Sequence, residues 1–369
     1  MGVGSIEDMT QPLVDVTIAV HSAARPIARA VASIVDHTAA PVRVLVVAHN
    51  IDPEIIRKNL GEYAGHPGVQ LLALRDGIFS PAGPMNLGLA HSQAPFVAVM
   101  GSDDEFAAGA IDSWLALQRR TGASTVLARV RIGSRGTDPY PPVRRGRRRL
   151  RLSAHKDRLA YRSAPLGLID RERFADLRFT EGLPSGEDLA YSATLWFTGC
   201  RIAYDLTGPE YIVNDDAGDR VTFAPRPVSD DFAFLDAIEA TPWFSRLGRA
   251  NRRALAVKIL RVHFFDAVLA RTKVPEGIGA HRADLIAVLD RIEAMAPGAT
   301  ALLARVDRQV IDEVRSSTPD PQAILHFIDA RWNYRTVGAL LPRNPLLTLH
   351  RQAPFRTLYA GLRAMSAAA

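Results

Sequence analysis

Three consecutive acids close the stretch FVAVMGSDDEF, residues 96–106, directly after an apolar run. Neighbouring carboxylates repel one another, so Asp103, Asp104 and Glu105 must either stand apart in water or share a cation. Ser-Asp-Asp offers the hard oxygen atoms that Mg²⁺ or Mn²⁺ takes as ligands. The same residues also suit the N-cap of a helix beginning near Ala107. A second acidic pair, Glu187-Asp188, follows Gly186 and precedes the helical run Leu189 to Phe197, so a cap is open there too. Two basic clusters complete the set. Residues 143–152, VRRGRRRLRL, hold six arginines and no acid, and six more arginines follow Asp329 with no acid among them. Such clusters are either solvated surface or contacts for nucleic acid, an anionic membrane face or a lipid pyrophosphate.

The acids at 103–105 reach a ligand only if the strand before them ends at a sheet edge. Val14 to Val20 is a β-branched run, Pro26 to Asp36 has helical spacing at Ile27, Val31, Ile34 and Val35, and Val42 to Val47 is a second strand. Val69 to Leu74 is a third strand, Pro84 to His91 a short helix, and Phe96 to Met100 the fourth strand. Strands separated by helices predict a Rossmann-like, mostly parallel α/β sheet with right-handed crossovers, whose ligands lie beyond the carboxyl ends of the strands. From about residue 231 the pattern turns helical: Ala254 to Ala270, Ala283 to Met295, Leu302 to Val314 and Ala323 to Trp332, punctuated by Pro275, Pro297 and Pro319. The expected division is an α/β domain over 1–230 and a helical accessory domain with a basic, apolar tail over 231–369.

The chain has 369 residues, 47% hydrophobic and 23% charged, enough for a large core. Its single cysteine, Cys200, excludes an internal disulfide framework and suits a reducing compartment. No run approaches the eighteen or so apolar residues of a spanning helix, and MGVGSIEDMTQPLVD lacks a basic segment followed by an apolar run, so no signal peptide is expected; MGVGSI fits only the loose N-myristoylation pattern. The expected location is cytoplasmic, at the inner face of the plasma membrane if the tail, where Trp332, Tyr334, Leu346, Phe355 and Tyr359 alternate with arginines, meets an anionic leaflet.

The series VTIAVHSAARPIARAVASIV, VRVLVVAHN, SPAGPMNLGLAHSQAPFVAVMGSDDEF and SGEDLAYSATLWFTGCRIAYD resembles, in order and spacing, glycosyltransferase family 2 enzymes of the GT-A fold over roughly residues 14–215. The resemblance implies an inverting, metal-dependent transfer of a sugar from a nucleotide donor, UDP- or dTDP-linked, to a cell-surface glycan or lipid-linked saccharide. It implies Asp104 as ligand of Mn²⁺ or Mg²⁺, with Asp103 on the ribose or assisting the metal and Glu105 capping the next helix. It also implies Asp188, with Glu187 beside it, as the base that takes the acceptor's proton. His21 stands at the turn after the first strand, and Asp76 and Asn86 fall at donor-loop positions. Arg220, in YIVNDDAGDR, stands where a basic residue meets the diphosphate.

Three positions depart from the family pattern. Ala48-His49-Asn50 replaces an aspartate-bearing base-reading turn, leaving His49 and Asn50 to hydrogen-bond the base; Met85 replaces an arginine; Gly101 replaces the first aspartate of the metal motif. A catalytically silent GT-A-like protein or a basic nucleic-acid- or membrane-binding protein is the alternative. A nucleotidyltransferase is disfavoured, because His21-Ser22-Ala23-Ala24-Arg25 lacks a glycine-rich basic loop. No nucleic acid is expected as partner, since no helix-turn-helix, RNA-recognition or zinc pattern accompanies the arginines. Trp196, Phe197 and Tyr204 are expected in the core.

Overall fold

The computed structural model describes residues 11–144, 146–214 and 226–368. The chain divides into two compact units, one of residues 1–138, 165–182 and 200–219, the other of residues 139–164, 183–199 and 220–369. Segments 139–164 and 183–199, which lie within the first 230 residues, therefore pack with the helical remainder of the chain.

The first unit is built on a nine-stranded sheet. β1 (Val14–Val20) buries Val14, Val16, Ile18 and Val20 on one face and Asp15 and Thr17 on the other, the pattern of a strand covered on both sides. It pairs in parallel with β2 (Val42–His49), which pairs in parallel with β3 (Val69–Leu74), while β4 (Phe96–Gly101) lies parallel on the other flank of β1. α1 (Ile27–Val35), α2 (Pro53–Leu60) and α3 (Ala82–His91) connect these strands. On α1 the buried Ile27, Val31 and Ile34 recur at helical spacing. Gly88 of α3 is required by contact, because a Cβ there would stand 2.2 Å from Thr17 Cγ2 of β1.

β5 (Glu105–Phe106), α4 (Ala110–Thr121), β6 (Thr125–Ile132), β7 (Gly136–Thr137), β8 (Gly167–Asp170) and β9 (Ile202–Val213) complete the unit, giving the sheet order β3-β2-β1-β4-β8-β6-β9-β5 with β7 on β6. The sheet is mixed: β8 runs antiparallel to β4 and β6, and β5 antiparallel to β9, whereas β9 is parallel to β6. Sequence patterning located β1 to β4 and did not resolve the others. β8 is only four residues long, and β9 carries Gly208-Pro209 inside a register shift that moves the partner of Ala128 and Arg129 from Asp205 to Glu210. Asp15 fixes the start of β4: its carboxylate pairs with Arg43 Nε at 2.8 Å and accepts the backbone N–H groups of Gln93 (2.6 Å) and Ala94 (2.9 Å). With that end anchored, the other end of β4 delivers the acids to the sheet edge.

The second unit holds α5 (Leu189–Phe197), α6 (Val228–Asp231), α7 (Phe234–Glu239), α8 (Pro242–Ser245), α9 (Arg249–Ile259), α10 (Phe265–Lys273), α11 (Gly277–Met295), α12 (Arg305–Arg315), α13 (Pro321–Ala330), α14 (Val337–Leu340) and α15 (Pro354–Ala368). A π-helical turn, Leu260–Phe264, joins α9 to α10. The four helical segments read from the sequence fall on α9–α10, α11, α12 and α13; α12 begins at Arg305, where Asp307 accepts the Ala304 N–H at 3.0 Å. No described helix is long and apolar enough to cross a membrane.

Candidate active site

In the first unit, Gly101 to Asp104 form a tight turn in which Asp104 N donates to Gly101 O at 3.1 Å. The chain then enters β5 rather than a helix; α4 starts at Ala110 with Gly109 at its N-cap. The capping roles considered for Asp103, Asp104 and Glu105 are therefore not taken up. Asp103 pairs with Arg25 at 2.7 Å, and its backbone carbonyl accepts from Arg29 (2.7 Å) and Asn214 (2.9 Å). Asp104 accepts the Tyr211 hydroxyl at 2.6 Å and the Asn214 backbone N–H at 3.3 Å. Glu105 pairs with Arg29 at 3.2 Å and accepts Asn214 Nδ2 at 2.8 Å. Burial and the Asp104 charge raise the Tyr211 phenol well above its ordinary value, so it stays protonated and donates. Antiparallel pairing of Phe106 with Tyr211 and of Glu105 with Ile212 brings these groups together. The sequence reading singled out the segment from Tyr211 for Arg220, which lies outside the described residues; Tyr211 and Asn214 are what meet the acids.

Among the described residues no three of His, Cys, Asp and Glu form a metal cage. Mg²⁺ does not need one, since it characteristically binds through one or two carboxylates together with substrate phosphates and water. Gly101 supplies the local observation: a Cβ there would stand 2.7 Å from Asp104 Oδ2 and 3.2 Å from Asp103 Oδ1. The missing side chain leaves space between two carboxylates, and the donor set fits a divalent cation that completes its shell on a diphosphate.

Three further expected donor residues converge at the carboxyl ends of β2 and β3. His49, buried, stands 2.9 Å from Asp76 Oδ1. Asn50, held at φ 55°, reaches Asp76 Oδ1 at 3.2 Å and the Ile78 carbonyl at 3.0 Å, and accepts the N–H groups of Asp76 and Gly77. Partial desolvation pushes the Asp76 carboxyl up, but the Ile78 N–H, His49 and Asn50 outweigh it and hold the group below its ordinary value. The Asp-Gly pair is thus the centre of a hydrogen-bonded cluster. His21 is exposed beyond β1. Asn86 is apart from this cluster: its amide bonds Phe179 O at 3.0 Å, Phe179 N at 2.8 Å and Glu181 Oε1 at 2.9 Å, tying α3 to the chain after β8.

In the second unit, Asp188 occupies the N-cap position of α5, yet its side chain makes no capping bond. Burial, then the neighbouring Glu187 charge, push its carboxyl up to about 7, with Lys258 acting in the opposite sense. Burial raises Glu187 as well. Burial also brings Lys258 down to about 8, against the pull of Asp188. Lys258 Nζ lies 2.6 Å from His263 Nε2. The π-helical turn makes this contact possible, because five-residue spacing places 258 and 263 on one face. Burial and the Lys258 charge press His263 well below its ordinary value. Sequence patterning gave Lys258 and His263 no role; only the interruption of a helical repeat could have signalled them. Lys258 and Ser192 line a cavity of about 10 Å³, room for about one water, and the Ser192 hydroxyl is buried without a hydrogen-bond partner among the described residues. Trp196, Phe197 and Tyr204 are buried, the first donating its indole N–H to Arg162 O at 3.0 Å.

Residues 15–178 match the model of glycosyl transferase family 2. None of the curated proteins matches the chain. Among solved structures, S. aureus TarS 1–349 in complex with UDP-GlcNAc has a TM-score of 0.68 at 16% identity, over 87% of this chain and 91% of that one. The same TarS fragment with UDP gives 0.63 at 16% identity, over 88% and 92%. At such identity the likeness speaks for the fold, which is GT-A, and it extends well past residue 178. Residues 15–178 thus form a glycosyl transferase family 2 region on a GT-A fold, and that region marks the chain as a glycosyltransferase.

Proposed function

We propose that the protein transfers a sugar from a nucleotide diphosphate donor, with inversion, to a hydroxyl of a cell-surface glycan or lipid-linked saccharide. The observation that carries this reading is the Asp103–Asp104 turn at the end of β4, secured by Arg25, Tyr211 and Asn214 and opened by Gly101. Asp104, with Asp103, would hold Mn²⁺ or Mg²⁺, which supplies neutralisation of the charge that gathers on the leaving diphosphate. His49, Asn50 and Asp76 provide the donors and acceptors for a pyrimidine edge, with His21 at the neighbouring turn. UDP in the TarS structures favours a uridine donor, and dTDP offers the same edge. Asn86 acts by positioning α3, and Arg220 keeps the phosphate-contact role implied by family resemblance.

Asp188 is assigned as the base. A carboxylate with a value near 7 is deprotonated enough to act and basic enough to accept a proton. The acceptor oxygen forms a bond to the anomeric carbon, the bond from that carbon to the diphosphate oxygen breaks, and Asp188 takes the acceptor proton. One such displacement inverts the centre. Glu187 and Lys258 tune Asp188 in opposite directions.

The working location is the inner face of the plasma membrane. Supporting it, Phe355, Tyr359 and Leu362 are exposed on α15 among Arg356 and Arg363. Sedimentation with anionic liposomes at low salt tests this, and failure to co-sediment removes it. The central test is thermal stabilisation by UDP, dTDP, GDP and CDP, with and without Mn²⁺, in the wild type and Asp104→Ala. A Mn²⁺-dependent shift with one nucleotide, lost in the variant, is expected. No shift with any nucleotide would overturn the donor assignment.

A further inference from the structure

The two basic clusters, about two hundred residues apart in sequence, meet in the second unit. Arg144 and Arg148 from one, Arg351, Arg356 and Arg363 from the other, and Arg158 from the chain just after the first, line a single pocket of about 270 Å³ together with Tyr359. Asp157 is fully buried and already spent: it pairs with Arg144 through Nε (2.7 Å) and Nη2 (2.6 Å) and accepts the backbone N–H groups of Arg144 and Ser153. Among the described residues no acid lines the pocket.

Arg158 is the built part of the site. It is 2% exposed, sits at φ 52°, and donates to the carbonyls of Pro142, Arg351 and Arg356, which ties the two chain segments together. Its Nε is buried and has no hydrogen-bond partner among the described residues. Burial and the nearby Arg261, Arg351 and Arg356 charges bring it down to about 10. A fold that concentrates like charges and buries one of them is relieved by an anion. The volume falls just under the roughly 300–1,000 Å³ of pockets for drug-sized ligands. That suits a compact group, and planar guanidinium forks match phosphate oxygens two at a time.

We propose that this pocket binds a phosphate-bearing anion, a diphosphate or a phosphodiester group. Every lining residue lies in the second unit, so the proposal stands apart from the donor assignment. Calorimetric titration of the full chain tests it, with EDTA present so that the proposed metal-dependent donor site does not contribute. The probes are inorganic pyrophosphate, a water-soluble glycerophosphodiester oligomer, and vesicles of phosphatidylglycerol. The proteins are the wild type, the double variant Arg148→Glu/Arg363→Glu, and Arg335→Glu as an exposed charge control outside the pocket; Arg158 is left intact because it holds backbone carbonyls.

Binding of pyrophosphate or the oligomer is expected to weaken about tenfold or more per arginine in the double variant and to stay unchanged in the control. Preference for the soluble probes identifies a free or polymer phosphate, and preference for vesicles identifies a lipid headgroup. Equal affinity in all three proteins, no binding of any probe, or displacement by chloride at the same ionic strength would each overturn the proposal. So would binding of single-stranded DNA that is far tighter than that of every probe.

Discussion

Replacing Asp188 with asparagine separates the cost of the proposed base from its use. In the folded protein the carboxyl is pushed from its ordinary 3.8 up to about 7. Below 3.8 both folded and unfolded chains hold the proton, and the group contributes nothing to stability. Between 3.8 and about 7 the unfolded chain releases the proton while the folded chain keeps it, so stability falls by about 1.4 kcal/mol per pH unit. The resulting penalty is about 2 kcal/mol at pH 5 and about 4 kcal/mol by pH 8. Asparagine removes it. Part of the gain is lost again, because the Asp188 charge helps to keep Lys258 protonated and that help disappears. The net expectation at pH 8 is a stabilisation of roughly 2–3 kcal/mol. Urea unfolding of wild type and Asp188→Asn at pH 5 and pH 8 measures it directly, and sugar transfer by the variant should be abolished at both. A gain of the same size at both pH values, or none at pH 8, would refute the ionisation argument. In the wild type, kcat/KM for transfer should rise with pH through about 7, as a base that must first lose its proton requires.

Other substitutions probe the first unit. Tyr211→Phe removes the 2.6 Å bond to Asp104 and should cost about 1–3 kcal/mol in chemical unfolding while weakening nucleotide-dependent stabilisation. Gly101→Ala would place a Cβ 2.7 Å from Asp104 Oδ2, so the Mn²⁺-dependent thermal shift with UDP should shrink while the circular dichroism spectrum stays unchanged. Gly88→Ala drives a methyl to 2.2 Å from Thr17 Cγ2 and should destabilise by about 1–3 kcal/mol, read as a lower urea midpoint without a change in nucleotide preference. His49→Gln alters the partner of Asp76 and should change the ranking of UDP, dTDP and CDP in the thermal assay; an unaltered ranking would remove His49 from base recognition.

The amino-acid sequence by itself determined the elements with strong periodicity. The β-branched runs of β1 and β2, the acids that end β4, and the helical repeat from Ala254 onward are local patterns, and local patterns survive without knowledge of the fold. It also determined the order of motifs that identifies the family. Only the tertiary structure decided what those residues touch. The use of Asp103 and Asp104 rests on β5 pairing antiparallel with β9, which draws Tyr211 and Asn214 across more than a hundred residues of chain. A two-residue strand and a bulged partner carry almost no sequence signal. Lys258 reached His263 through a π turn, which a 3.6-residue repeat cannot express. The two arginine clusters were plain in the sequence, but their meeting was not, because charge patterning records how many cations a segment has and says nothing of which distant segment will face it.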